Sequence, residues 1–573
     1  MLLEGAGGVP GFRRDASAPM LILMAMAGLV LLIACANVAN LLMARAASRQ
    51  KEIAVRLALG AGRMQLIHQL RIESSLLAIV GGAASLILAA WTLELLRNLM
   101  RSSPGSASLS WQMDGRTLAF MFVVAVVSGL VFGLLPALQA TRPNLAPSLK
   151  DTGALSATRT ALRSKRVLVV AQVALSLLLL IGSGLFVRSL ANLQGLDPVF
   201  RVEHLIAFNV DAPLSGYTLE QTPVVYSALR DRFAAAPGVS AVAIAQNSLM
   251  SGADWRMTAS VQGYVAKEGE DMNPTVNSVS EGFFRSMGIR LSQRREFSGS
   301  DTAASPKVAI VNETFAKYFF GRKNPLGRRL GFGRDLPTIE IVGVVKDSKM
   351  SSLREEIGRR VYLPVKQQSE LGQVAFYVRT INPPGPMIQT LRRETATAYP
   401  GLAFFDPKTL EDQISESLTP ERLVAGLCAA FGSVATLLAA LGLYGVMAWS
   451  VARRTRELGI RTALGAGQSA ILTMVLKEVA VLAGIGIAIG LPVALALSRL
   501  VQTQLYGLSP NDPFTMGASM GALLVVALLA GYRRRVAPRA WIHSSRYATS
   551  EDPCAAYSLF SSLARACTPS PAR

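Results

Sequence analysis

Lys51-Glu-Ile-Ala-Val-Arg-Leu-Ala-Leu-Gly-Ala-Gly62 returns later in the chain as Arg456-Glu-Leu-Gly-Ile-Arg-Thr-Ala-Leu-Gly-Ala-Gly467, with seven of the twelve positions identical. Each copy follows a long apolar run. In both, an acid (Glu73 or Glu478) comes at the same distance, just ahead of the next apolar run. Two copies in the same setting mark an internal duplication. Glu52 and Arg56, like Glu457 and Arg461, stand four residues apart and so share one helix face. Gly60 and Gly465 supply a helix-ending turn, and Gly62 and Gly467 complete the motif. The element reads as a short basic amphipathic helix at a membrane face. On composition alone, an interfacial anchor fits it too.

Outward from these copies the sequence is apolar. Of 573 residues, 51% are hydrophobic and only 17% charged, against about a quarter charged in a soluble chain. Seven charge-free stretches, 20–44, 74–93, 117–140, 167–187, 423–451, 479–498 and 514–532, satisfy or approach the roughly 20 residues a bilayer core requires. Seven transmembrane helices are expected. Basic residues set their direction. Arg45, Arg49, Lys51, Arg56, Arg63 and Arg71 crowd the first loop, and 142–166 and 453–477 carry six and five basic residues, whereas 502–513 has no Lys or Arg. The basic loops are expected in the cytoplasm, with residues 1–19 and 189–421 outside it.

The segment 189–421 has the mixed composition of a folded α+β domain. Val308-Ala-Ile-Val311 and Ile339-Glu-Ile-Val-Gly-Val-Val345 read as strands. Residues 220–235, 313–320 and 388–396 read as helices between them.

Other function classes find little support. The net charge of +21 gathers beside apolar runs, which is the pattern of cytoplasmic loops and not of a nucleic-acid-binding face. The histidines His68, His204 and His543 are scattered, and Cys35, Cys428, Cys554 and Cys567 show no metal or disulfide spacing. No catalytic constellation, metal site or cofactor is expected. The chain has no Gly-x-x-x-x-Gly-Lys-Ser/Thr phosphate loop, and Gly60-Ala-Gly-Arg63 lacks its lysine and hydroxyl. Glycine pairs at 129/133, 486/490 and 517/521 read as close helix packing.

The doubled motif, with Leu31-Leu-Ile-Ala-Cys-Ala-Asn-Val-Ala-Asn-Leu-Leu42 before its first copy, resembles the ABC-transporter permease family that contains MacB, FtsX and the lipoprotein-releasing LolC/LolE proteins. Its duplication is most similar to the orphan permeases of acidobacteria. Glu281-Gly-Phe-Phe-Arg-Ser-Met-Gly-Ile289, Val308-Ala-Ile-Val-Asn-Glu-Thr-Phe-Ala316 and Asn324-Pro-Leu-Gly-Arg328 resemble the MacB-type periplasmic core domain. The resemblance implies a first FtsX-like permease domain at 20–140, a cytoplasmic linker at 141–166 and a transmembrane helix at 167–188. A periplasmic core at 189–421 and a second permease domain at 422–532 follow. It implies coupling helices at about 46–62 and 451–467 that dock on a separate ABC ATPase subunit, shaped by Glu52, Arg56, Gly60, Gly62, Glu457, Arg461, Gly465 and Gly467. It further implies an inner-membrane location among lipid, export or efflux, and partnership with a periplasmic adaptor and an outer-membrane channel. Lipoprotein release, or FtsX-like control of a cell-wall hydrolase, is the alternative.

In such a family each unit begins with a span, continues into an outer domain and ends in three spans. Residues 167–532 make one unit, while 20–140 supply only the last three spans of another. The expectation is that residue 1 falls inside a longer gene and that 1–19 is an extracytoplasmic remnant. Beyond Tyr532, Arg533-Arg-Arg-Val-Ala-Pro-Arg539 departs from the family-like ending, which a neighbouring reading frame would restore. Residues 533–573 are therefore expected to be an out-of-frame, disordered tail.

Overall fold

A computed structural model describes residues 10–48, 63–100, 114–140, 154–196, 199–252, 254–333, 336–453, 460–461, 463–464 and 468–532. Helices cover all seven apolar runs: α1 (Pro10–Ser48), α2 (Arg63–Met100), α3 (Gly115–Ala140), α4 (Ala154–Gln194), α10 (Thr419–Arg453), α11 (Gln468–Ser498) and α12 (Pro513–Tyr532). Among the described residues five segments are long and apolar enough to cross a bilayer: Ala18–Asn40, Arg166–Gln194, Thr419–Met447, Thr473–Ser498 and Pro513–Gly531. Ile79–Glu94 and Gly115–Ser128, within α2 and α3, are shorter apolar segments.

Helix α4 is the hub of the bundle. Its buried residues Val169, Val173, Leu177, Ile181 and Leu185 recur every four positions and form one stripe. That stripe meets Ala439 and Leu443 of α10, Val479 and Ala483 of α11, and Leu523 and Ala527 of α12. Gly486 and Gly490 allow the contact: a Cβ at Gly486 would stand 2.5 Å from Val173 Cγ1, and one at Gly490 2.9 Å from the Ala174 carbonyl. This pair packs as its spacing predicts. Gly517 and Gly521 do not, since a Cβ at either would meet nothing within 4 Å. Spacing marks a smooth helix face, and only the neighbour decides whether that face is used. Helix α1 joins the bundle through Met26, Ile33 and Cys35, set against Leu179 and Phe186 of α4 and Ala425, Cys428 and Ala435 of α10.

Between α4 and α10 lies a mixed α/β domain, built in chain order from β1 (Leu205–Asp211), α5 (Thr222–Ala234), β2 (Val239–Ala245), β3 (Ala259–Val261), β4 (Thr275–Val279), α6 (Phe283–Met287), β5 (Leu291–Arg294), β6 (Val308–Asn312), α7 (Glu313–Phe320), β7 (Arg329–Phe332), β8 (Ile339–Val345), β9 (Arg360–Pro364), β10 (Val374–Thr380), α8 (Gly385–Ala398), β11 (Ala403–Thr409) and α9 (Leu410–Ser417). Its strands join in the order β11-β1-β10-β2-β4-β9-β6-β8-β7-β3, with β5 beside β8. β4 and β9 pair parallel, as do β6 and β8, while the pairs at the β11 end are antiparallel. The strands expected at 308–311 and 339–345 are β6 and β8, and the three expected helices are α5, α7 and α8.

Around β1 and β10 the sheet is buried on both faces, so these strands carry apolar residues on both sides, while β11 at the edge is half-buried. On β1 and β10, Ile206, Phe208, Val210, Val374, Phe376 and Val378 face one core with α5 and α8. Leu205, Ala207, Ala375 and Tyr377 face the other with α6 and α9. Phe208 stacks on Phe376 with centroids 5.4 Å apart, and Phe233 meets Phe208 edge-on at 5.7 Å. A third core around Phe315, Phe319 and Ile341 covers the β8 end.

Candidate functional site: the junction of bundle and domain

The bundle helices are built into the core of the α/β domain. Leu193, in the last turn of α4, and Leu418, just ahead of α10, both belong to the core on the Tyr377 face. Buried Gln413 of α9 donates to Ser248 Oγ at 3.1 Å and to the Leu249 carbonyl. Tyr377 Oη accepts the Leu249 amide at 2.6 Å, and burial pushes its phenol up to about 12. Arg379 donates to the carbonyls of Ser286, Arg201 and Glu203, at 2.7, 2.8 and 2.6 Å. It thereby ties β10 to the segment that leads out of α4.

Residues 346–359 carry the second attachment. Asn312 caps α7 by accepting the Phe315 amide at 3.0 Å, accepts the Arg360 amide at 2.8 Å, and donates to Asp347 at 2.7 Å and the Gly358 carbonyl at 2.8 Å. One side chain thus holds both ends of the loop. Inside it, Glu355 pairs with Arg360 at 2.6 Å and accepts the Met350 amide. The loop so braced presents two cations to the bundle. Lys349, 8% exposed, donates to the Leu353 carbonyl and to Tyr506 Oη, each at 2.6 Å. Its ammonium also lies 4.7 Å from the Tyr506 ring centre. Arg354 lies 3.1 Å from Glu421 in the first turn of α10.

Tyr506 sits between α11 and α12, in the stretch that carries no Lys or Arg. Ser189 Oγ of α4 accepts the Tyr506 amide at 2.9 Å, and Asn192 Nδ2 donates to the Gly507 carbonyl at 3.2 Å. Asp512 accepts the Thr515 amide at 2.9 Å at the start of α12 and pairs with Arg188 of α4. The Thr515 hydroxyl, helped by the Thr515 amide and Arg188, holds the Asp512 carboxyl below the ordinary carboxylate range. One short connection therefore grips α4, α12 and the α/β domain together.

At the opposite end of the bundle, Arg166 of α4 pairs with Glu478 of α11 at 2.6 Å. Of the expected coupling residues, Arg461 is described. It is exposed, with Nη1 3.5 Å from Met474 Sδ of α11, and Ile460 and Leu464 beside it are exposed too. Glu52, Arg56, Gly60, Gly62, Glu457, Gly465 and Gly467 lie outside the described residues, as do 1–9 and the tail 533–573. Lys349, Arg354, Tyr506 and Asp512 carried no signal in the sequence. The cation-free 502–513 stretch was the nearest pointer to them.

On the α/β domain a cleft of about 470 Å³ opens between α5 and the 297–302 and 364–366 segments, walled by Val224, Phe297 and Val365. Arg230 at its edge bridges Glu281 at 2.7 Å and Asp231 at 2.6 Å. Among the described residues, no three His, Cys, Asp or Glu side chains gather where a metal ion could be held.

An apolar helical bundle locked to an α/β domain defines the class: a helical membrane-type protein with a folded α/β domain between two of its long helices. Residues 24–145 and 429–532 match the FtsX-like permease C-terminal family, and 167–390 match the MacB-like periplasmic core domain. The chain belongs to the MacB/FtsX-type ABC transporter permease family. Among its relatives are the uncharacterized ABC transporter permease YknZ of Bacillus subtilis, 27% identical over 40% of this chain and 59% of that one, and the macrolide export ATP-binding/permease protein MacB of Burkholderia thailandensis, 29% identical over 40% and 36%. The chain thus spans between about a third and three fifths of the length of such curated relatives. The solved periplasmic region of MacB from Actinobacillus actinomycetemcomitans is 16% identical, covering 40% of this chain and 97% of that one at a TM-score of 0.26. The extracellular domain of YknZ is also 16% identical, covering 35% and 100% at 0.24.

Proposed function

We propose that this chain is the permease subunit of a mechanotransmission-type ABC export system. In this reading it has seven spans, lies in the bacterial inner membrane and holds its α/β domain in the periplasm. A separate ATPase docks on the doubled cytoplasmic element, through Glu52, Arg56, Gly60 and Gly62 in one copy and Glu457, Arg461, Gly465 and Gly467 in the other. The observation that carries the reading is the repeat itself. The two FtsX-like matches begin at 24 and 429, the same 405-residue spacing that takes Lys51 to Arg456. The exposed Ile460, Arg461 and Leu464 support a surface that a partner covers.

Mechanically, closure of an ATPase moves the coupling elements and hence α10 and α11. The grip of 501–512 on α4 and Lys349, with the Arg354–Glu421 pair, carries that displacement into the α/β domain. Substrate need not cross the bilayer in such a scheme. That relatives are named as export proteins favours this reading over lipoprotein release or FtsX-like control of a cell-wall hydrolase. A periplasmic adaptor and an outer-membrane channel complete the proposed assembly.

The test is affinity capture from native membranes with and without a non-hydrolysable ATP analogue. The chain should recover an ABC ATPase, and Glu457→Arg/Arg461→Glu should lose it while the Arg354–Glu421 junction stays folded. Recovery of no ATPase under any nucleotide condition would overturn the coupling reading.

A further inference from the structure

The repeat spacing of 405 residues that joins Lys51 to Arg456 also joins Asn37 to Gly442 and Asn40 to Gly445. Asn37 and Gly442 meet in space. A Cβ placed on Gly442 of α10 would stand 2.7 Å from Asn37 Oδ1 of α1, and nearer still to Gln172 Oε1 of α4. Around that point Asn37 Nδ2 donates to the Leu438 carbonyl at 2.8 Å, and Gln172 Nε2 donates to the same carbonyl at 2.6 Å and to Asn37 Oδ1 at 3.2 Å. One turn away, Ser176 Oγ donates to the Ala435 carbonyl at 3.1 Å. Gln172 is 1% exposed and Ser176 0%.

A residue that meets its own repeat counterpart lies at the local two-fold axis, as in an isologous interface between identical subunits. Here the two sides are unlike. Two asparagines at this point would crowd each other and Gln172. Two glycines would leave Gln172 Nε2 with the Leu438 carbonyl alone and open a void where Asn37 stands. A single buried asparagine is the best-attested device for fixing helix register and partner choice.

We propose that Asn37 and Gly442 are a matched knob and hole that pairs the first permease unit with the second, in one axial register, as unlike halves. The partner that α1 recognises is the α10 helix of this same chain and not a second α1. The next turn supplies an internal control. Asn40 and Gly445 repeat the same Asn-for-Gly difference, but a Cβ on Gly445 would meet nothing within 4 Å. The inference does not depend on coupling to an ATPase.

Cys35 reports on how α1 is seated in the bundle, because it is 6% exposed on that helix, with Ser128 of α3 beside it, and becomes accessible when α1 lifts away. The full chain carrying Cys554→Ser and Cys567→Ser is labelled with a maleimide in detergent, and peptide masses separate Cys35 from Cys428. Gly442→Ala should speed Cys35 labelling about tenfold, the expected consequence of overpacking on local opening. Gly445→Ala should leave the rate within about twofold. Adding Asn37→Gly to Gly442→Ala should bring the rate back down, since the space Asn37 leaves admits Gln172. Equal rates for the two alanine variants would overturn the proposal, as would an Asn37→Gly change that worsens Gly442→Ala. If Gly442→Ala alone yields no folded protein, the double variant still decides: recovery supports the matched pair and failure refutes it.

Discussion

The two ends of the helical bundle are built differently. At the α/β domain, α4 and α10 run into a hydrophobic core through Leu193 and Leu418, and buried Lys349 is bonded to Tyr506 at 2.6 Å. At the other end the described ion pair, Arg166 with Glu478, is partly open to solvent, at 45% and 22% side-chain exposure. Ile460 and Leu464 are exposed there. A charge-assisted hydrogen bond inside a core resists displacement, whereas an exposed ion pair contributes little. The difference teaches that the domain end is held to the helices by buried bonds, whereas the described ion pair at the far end stands open to solvent.

Lys349→Ala should break that contrast most severely. It strands the Leu353 carbonyl and Tyr506 Oη in a buried site, at a cost of about 2–3 kcal/mol. Thermal unfolding should fall, and hydrogen exchange should rise through 346–359 and 501–512 together. Protection that drops in only one of the two segments would show that they are not joined. Asp512→Ala should come next. It removes the bond to the first turn of α12 and the Arg188 pair, at about 1–2 kcal/mol, read as faster exchange at the start of α12. Arg166→Ala should cost less than about 1 kcal/mol, with a fall in unfolding temperature smaller than Asp512→Ala produces. An effect as large as that of Lys349→Ala would erase the distinction between the ends.

A pH experiment sharpens the comparison from within the domain. The hydroxyls of Tyr264 and Tyr318 hold the Glu270 carboxyl down at about 2, from an ordinary 4.5, and Glu270 in turn pushes the Tyr264 phenol up to about 12. For an acid depressed on folding, the contribution is complete above pH 4.5 and is lost as pH falls towards 2. Wild type should therefore lose slightly more stability than Glu270→Gln between those values. Indistinguishable acid profiles would count against the cluster.

Much of this architecture was legible from residue order. The apolar runs marked every long helix, and the short apolar stretches 308–311 and 339–345 marked β6 and β8. The doubled motif pointed to the family before any fold was in hand. The junction was illegible, because it joins Lys349 to Tyr506 across 157 residues. Neither the 346–359 loop nor the 501–512 connection has a periodicity to read. The glycine pairs show the same limit: 486/490 and 517/521 look alike in sequence, yet only the first is pressed against a neighbour.

By itself, then, the sequence determined the helical membrane-type bundle, its repeat and the position of the α/β domain between two long helices. Those properties follow from local composition and periodicity, which act wherever the chain goes. Only the tertiary structure decided that Lys349 closes on Tyr506 and that Gln172 and Asn37 together fill the space over Gly442. Both depend on which backbone passes within a few ångströms of which side chain, a relation set by packing and carried by no single stretch of residues.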